Sequence, residues 1–281
     1  MVKVFPIRCL IAAAITAVAG CTGVSFPEPV DAIENAGPPD IDLSQYELTF
    51  EDEFRKLDVS GRRCDTKWIA HTPWNGDFGS ARFVDPSRNF PFATRQGLLR
   101  IEARNDPARG WESGLMAGWN TCDDGFSQQY GYFEIRTMLP AGDGFWPAFW
   151  LIGSDRSRFT AEIDVFEHHS ARPDRFSSTV HVHPRAEGVK RVNVGKFHEV
   201  PAGTLYRGFN TYGVSIDETD IVFYFNRREI WRTPTLDEFR QPLYVLFNLA
   251  MEADEVTADT PPQAFMYVDY VRAYARKPAS E

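Results

Sequence analysis

The stretch EIDVFE, residues 162–167, places three acids on one short segment with apolar residues between them. Alternation predicts a β-strand with Glu162 and Asp164 on one face and Ile163 and Val165 on the other. A regular strand turns Glu167 to the wrong face, because it stands an odd number of positions from Glu162. A β-bulge at Val165-Phe166 absorbs one residue and returns Glu167 to its partners. Three carboxylates on one patch of sheet repel one another and lower stability. That arrangement makes sense where two carboxyl groups must flank a glycosidic bond, one as nucleophile and one as acid/base. A solvated acidic edge strand would show the same letters, so the surrounding sequence decides.

Neighbouring runs share a split character. In WPAFWLIG, Trp146, Ala148 and Trp150 fall on one side, with Phe149 and Leu151 opposite. In SSTVHVHP, Val180 and Val182 oppose Thr179, His181 and His183. In FEIR, Glu134 and Arg136 oppose Phe133 and Ile135. The three runs are therefore expected to share one sheet, with an apolar face toward a core and a second face of aromatics, acids, His and Arg. Two tryptophans on a merely solvated face would be odd. Sugar rings present apolar C–H faces that stack on Trp and hydroxyls that need hydrogen-bonding partners, so a concave carbohydrate cleft accounts for both.

Strand-like runs recur at 46–51, 98–103, 130–138, 145–152, 161–167, 177–183, 210–216, 220–226, 243–250 and 265–274. Clusters such as AGDG at 141–144 and RNDPARG at 104–110 separate them. Helix is expected only as short turns, around 235–239. This predicts an all-β domain over 46–281, a two-sheet sandwich or jelly roll. Upstream, Lys3 and Arg8 flank an apolar stretch, Cys9–Ala19, that ends in VAGC. Residues 1–20 read as a signal segment and Cys21 as a lipidated residue of an exported protein, anchored at the outer membrane. Residues 22–45, with four prolines, five acids and no basic residue, read as a flexible tether.

Loss of Lys3 and Arg8 with the signal moves the formal charge from -9 to -11. So acidic a chain is a poor partner for nucleic acid and suits a neutral substrate. Two further thiols, Cys64 and Cys122, pair or stay free; the spacing does not decide. The histidines of HVH and His168-His169 lack an acid or cysteine at zinc-ligand spacing.

EIDVFE at 162–167, with FEDEF at 50–54, SQQYGYFEIRTMLPAGDGFWPAFWLIG at 127–153 and MYVDYVRAY at 266–274, resembles glycoside hydrolase family 16, and the match covers most of 48–275. That family of endo-acting β-glucanases includes laminarinases, lichenases and bacterial exopolysaccharide depolymerases. The resemblance implies a curved jelly roll with its cleft across the concave sheet. It implies Glu162 as nucleophile, Asp164 as assisting acid and Glu167 as general acid/base, with no catalytic cofactor. Charge on Glu162 and Asp164 is expected to keep the proton on Glu167.

The same resemblance implies Trp146 and Trp150 in the cleft, with Asn248, His181, Glu134 and Arg136 as sugar-holding groups. Asn248 could equally be a buried, backbone-bonded residue, and Glu134 and Arg136 a structural ion pair. Glu53, Gly97 and Asp269 match a structural calcium site of many members. Ala250 stands where lichenases carry Trp, which argues against their narrow specificity. The stretches 74–86, SGLMAG at 113–118 and HVHP at 181–184 resemble succinoglycan-degrading depolymerases. An endo-acting β-1,3- or β-1,3/1,4-glucanase is therefore expected. Three other readings stay open: an exopolysaccharide depolymerase, a transglycosylase and a non-catalytic carbohydrate binder. A monomer is expected.

Overall fold

A computed structural model describes residues 26–31, 38–74 and 76–278. The signal segment and Cys21 lie outside the described residues. The first third carries β1 (Tyr46–Asp52), β2 (Val59–Ser60), β3 (Trp68–Ile69), β4 (Arg82–Phe83), β5 (Phe92–Arg95) and β6 (Leu98–Asp106). Next come β7 (Gly110–Ser113), β8 (Leu115–Ala117), β9 (Gly131–Met138), β10 (Phe145–Gly153), β11 (Phe159–Glu167) and β12 (Arg175–Pro184). The last are β13 (Val192–Glu199), β14 (Asn210–Ile216), β15 (Asp220–Phe225), β16 (Arg228–Pro234), β17 (Leu243–Met251) and β18 (Gln263–Arg276). Helix among the described residues is limited to short 3-10 turns, one of them at Asp237–Phe239.

The strands form two sheets, as the alternation predicts. One runs β13-β12-β11-β10-β17-β8-β3-β2 and carries the acid strand near its middle. The other runs β16-β15-β14-β9-β18-β6-β7-β4, with β1 on β18 and β5 on β6. Between them lies the core, where Phe149, Leu151, Ile163, Val180 and Phe247 of the first sheet meet Phe133, Ile135, Val214 and Val271 of the second. A separate apolar cluster, including Ala148, Trp150, Leu246 and Ala250, sits on the outer face of the first sheet, with Trp146 packed against it. Burying the core face removes apolar surface from water and fixes the register, since a one-residue slip would exchange the two faces.

Residues 22–45 depart from the expectation of a free tether in their described parts. Phe209 N–H donates to the Val30 carbonyl at 2.8 Å, and Asp31 accepts from Arg136 at 2.7 Å. Ile41 is buried against Tyr132 and Tyr274. These contacts lay the described residues 26–31 and 38–45 against the second sheet, where Ile41 and Asp31 find partners that a composition count does not reveal. Cys64 and Cys122 form a disulfide with their Cα atoms 6.1 Å apart.

Candidate active site

The bulge lies where the odd spacing of the acids requires it. Asp164 pairs with Thr179 of β12, but Glu167 pairs with Ser177, so three steps on β11 match two on β12. On the other side, Trp150 pairs with Asp164 and Phe149 with Phe166, leaving Val165 as the extra residue. Val165 and Phe166 are both buried in the core, although they are consecutive. Their double inward turn is what brings Glu167 to the face of Glu162 and Asp164. All three acids line one cleft of about 280 Å³ with Trp74, Phe78, Trp146, Ala148, Trp150 and Asn248.

Each acid has a distinct partner. Trp146 donates from Nε1 to Glu167 Oε1 at 3.1 Å. His183 Nε2 stands 3.1 Å from Glu162 Oε2, and His181 Nε2 3.0 Å from Asp164 Oδ2. The two imidazoles stack, with centroids 5.1 Å apart. Asn248 is fully buried; it accepts from Trp150 Nε1 at 2.9 Å and donates to the Trp146 carbonyl at 3.3 Å. It therefore braces both tryptophan positions, as the buried alternative anticipated. Trp150 is itself mostly buried, in edge-to-face contact with Trp74 and Phe78. Trp146 is the more open of the two tryptophans, and His169 stacks on it at 5.3 Å.

The electrostatics separate the acids. Burial, helped by the charges of Glu167 and Glu162, pushes Asp164 well above the usual carboxylate range. Burial also lowers His181 below its usual value. Both shifts favour neutral forms, so the contact between these two is a hydrogen bond and not an ion pair. Glu167 is raised to about 7, first by burial and then by the charge of Glu162, against the hydrogen bond from Trp146. The direction of these shifts runs against a charge on Asp164 as what keeps the proton on Glu167, and favours a neutral Asp164 hydrogen-bonded to Glu162, whose own charge raises Glu167.

Glu134 and Arg136 lie elsewhere. Both are on β9, in the second sheet, and face away from this cleft. Glu134 is fully buried and accepts from Tyr132, Tyr270 and twice from Arg227, at 2.7–2.9 Å. Arg136 bonds Asp269 and Asp31. They are structural ion-pair residues with other partners, not with each other. The alternation of FEIR predicted the polar face, but the expectation that it shares a sheet with the WPAFWLIG and SSTVHVHP runs is corrected: β9 belongs to the other sheet, because alternation fixes a strand's faces and not its neighbours.

Glu53, Gly97 and Asp269 do line one depression, also on the second sheet. Gly97 has φ +79° in the turn between β5 and β6, where a side chain would approach the Glu53 carbonyl. Arg272 donates to Glu53 at 2.7 Å and holds its carboxyl below the usual range, Arg55 adds a second contact, and Arg136 occupies Asp269. Guanidinium groups already pair with both carboxylates. Among the described residues, no group of three or more His, Cys, Asp or Glu is placed to hold a metal.

Sequence reasoning assigned no role to His183, Trp74, Phe78 or Arg191. His183 was legible in principle, because period-2 alternation places it beside His181. Trp74 and Phe78 sit in a loop without periodicity, and only the fold carries them to Trp150.

The model of glycosyl hydrolases family 16 matches residues 112–271. The chain is 30% identical over 259 residues to the endo-1,3-1,4-beta-glycanase ExsH of Rhizobium meliloti (strain 1021), covering 84% of this chain and 53% of that protein. It thus spans about half the length of that relative. It is also 30% identical over 256 residues to a beta-glucanase of Rhodothermus marinus, covering 82% of this chain and 85% of the other. The solved laminarinase from Rhodothermus marinus aligns with a TM-score of 0.65 at 26% identity, covering 83% of this chain and 98% of that one. With this match running from β7 to β18 and through the bulged acid strand, the chain belongs to glycosyl hydrolases family 16.

Proposed function

We propose that this protein is an endo-acting, retaining glycosidase that hydrolyses internal β-1,3 or mixed β-1,3/β-1,4 linkages of a β-glucan. The observation that carries the reading is the bulge, which sets Glu162 and Glu167 on one face of β11 beneath a wall of aromatics. Glu162 attacks the anomeric carbon while Glu167 gives its proton to the departing glycosidic oxygen, leaving a glycosyl ester on Glu162. Glu167, now a carboxylate, takes a proton from water; the hydroxide oxygen attacks the same carbon and frees Glu162. Burial keeps Glu167 protonated near neutrality for the first step. The neutral Asp164 supports Glu162 by hydrogen bonding without adding a third charge to the patch. The activity for which the Rhodothermus relative is named supports a β-glucan, and that of the Rhizobium relative supports β-1,3 and β-1,4 linkages.

The same reading takes the enzyme to be exported, anchored through Cys21 and monomeric, on the support of the VAGC stretch and the acidic mature chain. No described helix is long and apolar enough to cross a membrane. Incubation with laminarin, lichenan, curdlan and a succinoglycan-type polysaccharide, followed by mass analysis, tests the proposal. Oligosaccharide ladders from a β-glucan, absent with Glu167→Gln, are expected. Cleavage of the succinoglycan-type polymer alone would overturn the substrate assignment, and no cleavage of any polymer would overturn the activity.

A further inference from the structure

We propose that Phe197 and Arg175 form a sugar-stacking subsite at the outer edge of the cleft, two strands from Glu167, which holds a further pyranose unit of the same β-glucan chain. The inference rests on the β-glucan reading above and extends it to a part of the sheet that the catalytic constellation does not use.

Register places the pair. Glu167 of β11 stands opposite Ser177 of β12, and Ser177 stands opposite Phe197 of β13. Residues directly opposed in antiparallel strands project to the same face, so Phe197 shares the face of Glu167. The intervening residues confirm the sidedness: Phe176 and His198 are buried toward the core, with rings 5.0 Å apart. Two strand spacings set Phe197 roughly 9–10 Å from Glu167 in the direction across the sheet, the reach of about two sugar units.

The floor between them is low. Ser177 is the residue in that rung, and the neighbouring rung on β13 is Gly195, opposite Thr179. A Cβ on Gly195 would come within 2.8 Å of Thr179 Oγ1 and 2.9 Å of the Ser178 carbonyl, so the position admits no side chain without displacement. Only the small side chain of Ser177 thus stands between the acid/base and the phenyl ring in that rung. Phe197 is 63% exposed, and the Arg175 guanidinium lies 4.7 Å from its ring centre. A single exposed aromatic is ordinary. What distinguishes this one is its alignment with Glu167 across a single small residue, Ser177, and a cation that fixes one side of the ring. The free side offers an apolar platform for pyranose C–H groups, and Arg175 offers donors to their hydroxyls.

Steady-state kinetics on short and long oligosaccharides of one β-glucan series test the subsite. Phe197→Ala should raise KM for an octasaccharide roughly five- to tenfold while leaving kcat unchanged. It should leave both constants for an aryl disaccharide of the series, whose small leaving group ends one unit beyond Glu167 and short of β13, as in the wild type, and Phe197→Trp should restore the octasaccharide KM. An unaltered octasaccharide KM, or an equal rise for both lengths, would overturn the subsite while the β-glucan reading stood. Failure of the wild-type enzyme to cleave either length would overturn both.

Discussion

His183 holds its Nε2 3.1 Å from Oε2 of Glu162. Its other ring nitrogen, Nδ1, lies 3.3 Å from Arg191 Nη1. Arginine can only donate, so Nδ1 is the acceptor and the imidazole proton sits on Nε2, aimed at Glu162. The pair thus delivers a fixed donor to the nucleophile through a strand residue and a loop cation. His183→Phe removes that donor and should lower kcat/KM by about tenfold, the lower end for a hydrogen bond to a charged group at a half-open position. His183→Gln, which can donate from the same direction, should recover most of the loss. Activity kept by His183→Phe and lost by His183→Gln would show that the ring is needed for packing instead.

Glu167 makes the activity pH-dependent in a stated direction. With its carboxyl raised to about 7, the proton needed by the leaving oxygen is present below that pH and lost above it. The alkaline limb of kcat/KM should therefore fall through about pH 7, and Glu167→Gln should remove roughly 10²–10⁴-fold of the activity. A flat profile up to pH 9 would contradict the assignment.

The same group bears on stability. Folding raises its affinity for a proton above the ordinary carboxylate value of 4.5. The folded state therefore binds more proton than the unfolded state between the two values, and stability falls as pH rises from 4.5 to about 7. Glu167→Gln abolishes that loss. At about 1.4 kcal/mol per unit, it should stabilise the protein by up to about 3 kcal/mol at pH 8 and by little at pH 4. Thermal unfolding of the two proteins at both pH values reads this directly; a variant less stable at pH 8 would refute it.

The bulge and the split faces were legible because both are one-dimensional: alternation either holds or slips by a residue. Which sheet a strand joins is not one-dimensional, and there the sequence misled. FEIR and EIDVFE carry the same kind of polar face, but β9 sits in the second sheet and β11 in the first. Strand β13 was missed because VNVGKFHE has Gly195 and Lys196 where an ordinary strand would show apolar alternation, and edge strands need less of it. The docking of Ile41 was hidden by the acidic, proline-rich letters around it.

The corrected place of Glu134 gives a prediction that separates structure from catalysis. Its carboxylate has no solvent exposure and relies on Arg227, Tyr132 and Tyr270. Arg227→Ala leaves a buried charge without its cation and should cost about 3–5 kcal/mol of stability. kcat and KM of the protein that remains folded should be unchanged, because neither residue touches the cleft. Denaturant unfolding and kinetics on the same preparation check both halves; a raised KM with intact stability would return Glu134 to the sugar.

Stereochemistry tests the arrangement of the acids as a pair. The bulge removes one residue from the path between Glu162 and Glu167, so both project from the same face of one strand. Carboxyl groups carried this close favour direct attack over a water held between them, the condition met at roughly 5–5.5 Å. Hydrolysis should proceed through an ester on Glu162 and release the β-anomer first, with transfer to sugar acceptors at high substrate concentration. Proton NMR of the earliest products resolves the two anomers before mutarotation mixes them. Appearance of the α-anomer first would mean inversion, with Glu162 acting as a base on water and never bonding to the sugar.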